Sequence, residues 1–206
     1  MSQQASSTIP GAAVRGTASG VLFMAVFGTL WAYTGIMGLQ GWGMPLVLLA
    51  AAVTVGIVLC IGGGSLIRAS RKLTIQVKKG DSRGGKRVGI WFNIIFAAEG
   101  AAIGISAAIC SHTHHTDLIP LVTAIIVGVH FFPLASLFKV RLYHITGALL
   151  CLLAIGTWLF VPVNVMLGDH QISAFMSVVG LGSALILWGT SVVIWQMGRR
   201  LLGRAV

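Results

Sequence analysis

The chain has 206 residues, of which 56% are hydrophobic and 9% charged, and its mean hydropathy is +0.94. Soluble globular chains carry roughly 25% charged residues, so this composition excludes an ordinary water-soluble domain. A net charge of +10 could suggest nucleic acid, but the placement of the basic residues argues against that partner.

In chain order, Met1–Gly16 reads as a flexible tail of Ser, Gln, Ala and Gly with a single basic residue, Arg15. The apolar run that follows exceeds a signal-peptide core of about 7–15 residues, so the first span is expected to stay in the mature chain. Six apolar blocks follow: Thr17–Met37, Met44–Ile67, Val88–Cys110, Leu118–Phe138, Tyr143–Val163 and Ser173–Met197. Each is about the ~20 residues needed to cross a hydrocarbon core as a helix. Pro45 and Pro120 fall in first helical turns, where the missing N–H is not needed. Short connections make spans 1–2, 3–4 and 5–6 antiparallel hairpins. The remainder, Gly198–Val206, reads as a basic tail.

The fourteen Lys and Arg residues partition cleanly. Arg15 precedes span 1, a dense group lies between spans 2 and 3, Lys139 and Arg141 lie between spans 4 and 5, and Arg199, Arg200 and Arg204 follow span 6. With six spans all of them fall on one side, which places both termini in the cytoplasm by the positive-inside rule. In the loop between spans 2 and 3, Arg71, Lys72, Lys78, Lys79, Arg83, Lys86 and Arg87 suit anionic lipid headgroups, at about 1 kcal/mol per residue near the surface. The plainer reading is that these charges only set topology. The alternation from Lys72 to Lys78 and the turn signal Gly80-Asp81 suggest a short strand or membrane-hugging segment there.

Glu99 is the only carboxylate inside an apolar block. It lies 11 residues into span 3, about 17 Å deep at 1.5 Å per residue, and His130 lies about 18 Å into span 4 from the other side. Both reach the midplane on adjacent helices, so a Glu99–His130 pair is expected, one partner offsetting the cost of burying the other. Pro133 cannot donate to the carbonyl of Val129, which frees an acceptor and permits a kink beside His130. Gly100 and Gly104 leave room for a helix or small ligand, and Ser106 shares the helical face of Glu99. Such a pair has two readings: a proton or substrate site, or a lock that fixes helix packing.

On the opposite side, His112, His114, His115 and Asp117 form a short His-rich loop, with Asp169-His170 in another. Imidazole and carboxylate can ligate zinc, copper or nickel, and histidines can sense pH, but the spacing matches no zinc motif and ordinary solvated turn residues are the plainer reading. Cys60, Cys110 and Cys151 have neither zinc-finger nor CxxC spacing and read as small apolar filler.

Residues Gly128–Leu150, GVHFFPLASLFKVRLYHITGALL, resemble small bacterial multi-pass inner-membrane proteins of unknown function that carry a G-x-H-F-x-P-L-A block before a basic turn and a Tyr-x-x-x-Gly helix start. The resemblance rests on Gly128, His130, Phe132, Pro133, Tyr143 and Gly147, implies a bacterial inner-membrane location, and brings no activity with it.

The sequence thus predicts an all-α bundle of six transmembrane helices, N-in and C-in, in the cytoplasmic membrane. A small transporter or permease using Glu99 and His130, proton-linked, is the leading reading. The alternative is a non-transporting scaffold, complex subunit or sensor in which the pair is a packing lock. No Ser-His-Asp order, HExxH motif or paired catalytic carboxylates occur, so an embedded enzyme ranks third. No cofactor is implied, the expected partner is the lipid bilayer, and a homo-oligomer stays open.

Overall fold

A computed structural model describes the backbone of residues 11–73 and 82–203, with side chains described for 16–71 and 88–203. Six long helices make up almost all of it: α1 (Gly11–Gly38), α2 (Pro45–Leu73), α3 (Ser82–His112), α4 (Ile119–Phe138), α5 (Leu142–Phe160) and α6 (Ala174–Gly203). All six are long and apolar enough to cross a membrane, and helices suit that setting because they satisfy their own backbone polar groups.

The seam between α1 and α6 organises the bundle. Ala18, Val21, Ala25, Gly28, Ala32 and Gly35 are buried on α1, and Ser177, Gly180, Ala184, Leu187, Ser191, Ile194 and Gly198 are buried on α6. Both sets follow alternating steps of three and four, the spacing of a coiled-coil seam, and both are rich in small residues that let backbones approach. Gly35 lies against Gly180, Gly38 against Ser177 and Gly198 against Thr17, so the two helices run antiparallel and the start of α1 lies beside the end of α6 at one end of the bundle. Ser191 Oγ donates to Val21 O across the seam at 3.1 Å.

A second close crossing joins α4 to α5, where Gly128 packs on Gly147 and Cys151. The turn between them is tight: Lys139 is left-handed (φ 55°) and Val140 N–H bonds back to Ala135 O at 3.1 Å. A hydroxyl pair, Thr146 and Thr190 at 2.9 Å, links α5 to α6. Such interhelical bonds average about 0.6 kcal/mol in membranes, so they tune the packing more than drive it. α3 stands at the edge, with none of its apolar window buried; it packs chiefly on α4. It also meets α1 through aromatic rings, Phe23 contacting Phe96 with centroids 5.6 Å apart.

The helices outrun the apolar blocks that mark them in the sequence. Gly11–Gly16 is helical rather than tail, whereas residues 1–10 lie outside the described part. Lys72 and Leu73 extend α2, and Ser82–Arg87 begins α3. The remainder of the predicted strand-like loop, with Lys78, Lys79 and the Gly80-Asp81 turn, lies outside the described residues. Arg199 and Arg200 sit on α6 instead of in a tail. Hydropathy marks where the chain leaves the apolar layer, but Lys, Arg, Leu and Ala are good helix formers and carry the ladder past that point.

The stretch between α5 and α6 is also more ordered than a loop. β1 (Asn164–Leu167) and β2 (His170–Ser173) form an antiparallel hairpin pairing Leu167 with His170 across the turn Gly168-Asp169. Gly168 has φ +62°, the left-handed conformation that two-residue hairpin turns require.

Candidate functional site

Glu99 and His130 meet. His130 Nδ1 lies 3.2 Å from Glu99 Oε1, with side-chain exposures of 6% for His130 and 8% for Glu99. Nδ1 is also 3.2 Å from Val127 O. A carbonyl can only accept, so Nδ1 carries the hydrogen and shares it between the carbonyl and the carboxylate. Nε2, on the far side of the ring from Glu99, is buried without a hydrogen-bond partner. The acceptor that holds the imidazole is thus Val127 O, one turn back, rather than the Val129 O freed by Pro133. Helix α4 continues through Pro133 to Phe138, and Pro133 itself is exposed on the outward face.

Two clefts lie toward opposite ends of the bundle, and the first of them reaches Glu99. The first, about 590 Å³, lies between α1, α3 and α4 toward the hairpin end, and Glu99 is the only ionisable residue lining it. Its wall includes Phe27, Trp31, Phe96 and Val127, with hydroxyls from Thr34 and Thr123. The second, about 850 Å³, lies toward the start of α1 and the end of α6 and is lined by Phe23, Phe92, Phe131 and Tyr143 among others. The two share no lining residue.

An aromatic layer separates them. Phe23 stacks on Phe27 with centroids 4.3 Å apart, and Phe92 stacks on Phe96 at 6.1 Å. The two stacks meet edge to face, Phe27 with Phe96 at 6.3 Å and Phe23 with Phe92 at 6.2 Å. On α4, His130 falls between Val127, which lines the first cleft, and Phe131, which lines the second. The pair therefore borders the first cleft through Glu99, and its α4 partner is followed directly by Phe131 on the wall of the second. Sequence reading missed the layer, although Phe23/Phe27 and Phe92/Phe96 each show the i, i+4 spacing of one helical face.

The other expected site residues divide. Gly100 lines the Glu99 cleft, but Ser106 does not. Nothing lies within 4 Å of a Cβ placed at Gly100 or Gly104, so no helix approaches them; the space at Gly100 belongs to the cleft. His112, His114 and His115 are exposed, and Asp117 is half-buried. Among the described residues no group of three His, Cys, Asp or Glu side chains comes together to hold a metal ion. Arg71 is exposed near the end of α2, while Lys72, Arg83, Lys86 and Arg87 lie on helices whose side chains there are outside the described residues. The three cysteines are free and half-buried.

Over residues 12–190 the chain matches the "Family of unknown function (DUF7010)", and it belongs to that family. The matched region spans both members of the Glu99–His130 pair and the Gly128–Leu150 stretch. No curated protein and no solved structure matches the chain. Six membrane-length apolar helices make it a multi-pass membrane protein.

Proposed function

We propose that this chain is a small proton-linked transporter of the cytoplasmic membrane, with Glu99 and His130 as its proton-holding site and both termini in the cytoplasm. One observation carries the reading: a buried acid–base pair borders a cleft at one end of the bundle, and a layer of phenylalanine rings stands between that cleft and a second one toward the other end. Transport requires a site reached alternately from either side, with a barrier that can change sides. Here the Phe23, Phe27, Phe92 and Phe96 rings supply the barrier, and Glu99 faces the hairpin-end cleft. An intramembrane ionisable pair is expensive to keep, and such pairs commonly mark ion and proton paths.

The test is proton movement in proteoliposomes holding a pH-sensitive dye, challenged in turn with sodium, potassium, an amino acid and an organic cation. The wild type should move protons in response to one of them, and Glu99→Gln should abolish the response while eluting as the same monodisperse species. If no challenge moves protons, the transporter reading fails and the pair is a packing lock.

The orientation rests on the charge partition and is checked separately. In a cysteine-free background, Asp169→Cys in the hairpin turn should react with a membrane-impermeant maleimide in intact cells. Lys139→Cys, at the other end, should react only after permeabilisation. The reverse pattern would invert the topology.

A further inference from the structure

We infer that the cleft at Glu99 is a binding site for a monovalent organic cation with an apolar body, exchanged one for one with the proton held by the Glu99–His130 pair. The exchange half rests on the transporter reading above; the binding half stands on the cleft alone. At about 590 Å³ the space falls within the size range of small-molecule sites. Its wall is mostly apolar and aromatic, and the Glu99 side chain, 8% exposed, is its single charge.

That wall selects by chemistry. Phe27, Trp31 and Phe96 bring aromatic rings to the wall, and aromatic rings attract a cation most strongly where water is excluded. An anion would meet a carboxylate and no Lys or Arg, since none lines the cleft. A sugar-like solute would bring many polar groups to a wall with few partners, at a cost for each one left unpaired. A small metal ion would find one carboxylate and no cluster of ligands among the described residues. A positive centre wrapped in hydrocarbon or aromatic groups satisfies the carboxylate and the wall together.

The charge count closes. With the proton aboard, the pair is neutral overall, either as carboxylic acid with imidazole or as carboxylate with imidazolium. When the cation binds beside the carboxylate, the proton leaves and the site is again neutral, the state that low-dielectric surroundings favour. His130 on α4 is the titratable group that faces Glu99. The residues that α1, α4 and α6 contribute to the cleft wall include no other.

The experiment is calorimetry on the purified full chain in neutral detergent near neutral pH, with tetraphenylphosphonium as probe and tetraphenylborate as its anionic counterpart of the same shape. Repeating the titration in two buffers of different ionisation heat reads proton release. Saturable one-to-one binding of tetraphenylphosphonium is expected, with one proton released and no saturable binding of tetraphenylborate. Glu99→Gln should weaken binding about tenfold or more and end proton release. Phe96→Leu should weaken it several-fold and keep proton release. Glu99→Asp, which keeps the charge, should still bind, and it decides the matter if Glu99→Gln does not fold. Equal binding of the two probes, or wild-type affinity in a folded Glu99→Gln, overturns the site. Binding without proton release overturns the exchange. Vesicle flux driven by sodium or an amino acid, with no tetraphenylphosphonium binding, sinks this inference and leaves the transporter. Binding without any vesicle flux sinks the transporter reading and the exchange with it, and leaves the binding site.

Discussion

Gly180→Ala should lower the thermal transition of the purified protein by roughly 6–12 °C, whereas Gly189→Ala should leave it unchanged or raise it slightly. A Cβ at Gly180 would fall on the backbone N and Cα of Gly35 and 3.0 Å from Trp31 O. Backbone atoms cannot rotate aside, so α1 and α6 would have to separate along their whole seam. Overpacking typically costs 1–3 kcal/mol, and an obstacle made of backbone puts this case at the upper end, about 3 kcal/mol. For a chain of this length each kcal/mol corresponds to about 2–4 °C. Gly189 lies on the same helix, is exposed, and has nothing within 4 Å of an added Cβ. Alanine there gains up to about 1 kcal/mol of helix propensity. Differential scanning fluorimetry on the two variants checks the contrast. Equal transitions would mean that the seam is not close-packed at Gly180.

The seam also shows what a single sequence can and cannot tell. The steps of three and four from Ala18 to Gly35 and from Ser177 to Gly198 are present in the letters, and small residues dominate both. Local pattern nevertheless draws the eye to Gly100/Gly104, whose surroundings prove open, because spacing states which residues share a face and not what that face meets. First and last helices pack together here, and no connection length in the sequence announces that. The same limit hid the aromatic layer: each Phe pair is legible on its own helix, but α1 and α3 are not neighbours in the chain. Glu99–His130 was legible for the opposite reason. Consecutive antiparallel helices must be near each other, a fixed rise per residue sets depth, and a buried charge restricts the partners it can have. The cleft beside Glu99 depended on α1 lying across α3 and α4, so it could not be read in advance.

Within the pair, His130→Leu should be the most destabilising single change, at about 2–3 kcal/mol, and adding Glu99→Leu should recover much of that loss. Removing the imidazole takes away the only ion-pair partner shown for Glu99 among the described residues. The carboxyl group is then buried alone beside an apolar wall. Replacing both members by leucine removes the unpaired acid and also the orphaned Nε2, and apolar substitution of a buried pair is often neutral or stabilising. Glu99→Gln should stay close to the wild type in stability, because its side-chain carbonyl still accepts from Nδ1–H. Unfolding the wild type, His130→Leu, Glu99→Leu and the double variant in parallel yields the coupling directly, and a double variant no more stable than His130→Leu alone would show that the two residues do not support each other. Joined to vesicle flux, the same proteins separate the two meanings of the pair. A double-leucine chain as stable as the wild type and without proton movement assigns Glu99–His130 to chemistry, since the fold does better without it. A double-leucine chain that loses stability and keeps its flux assigns the pair to packing, and the proton path must then run elsewhere.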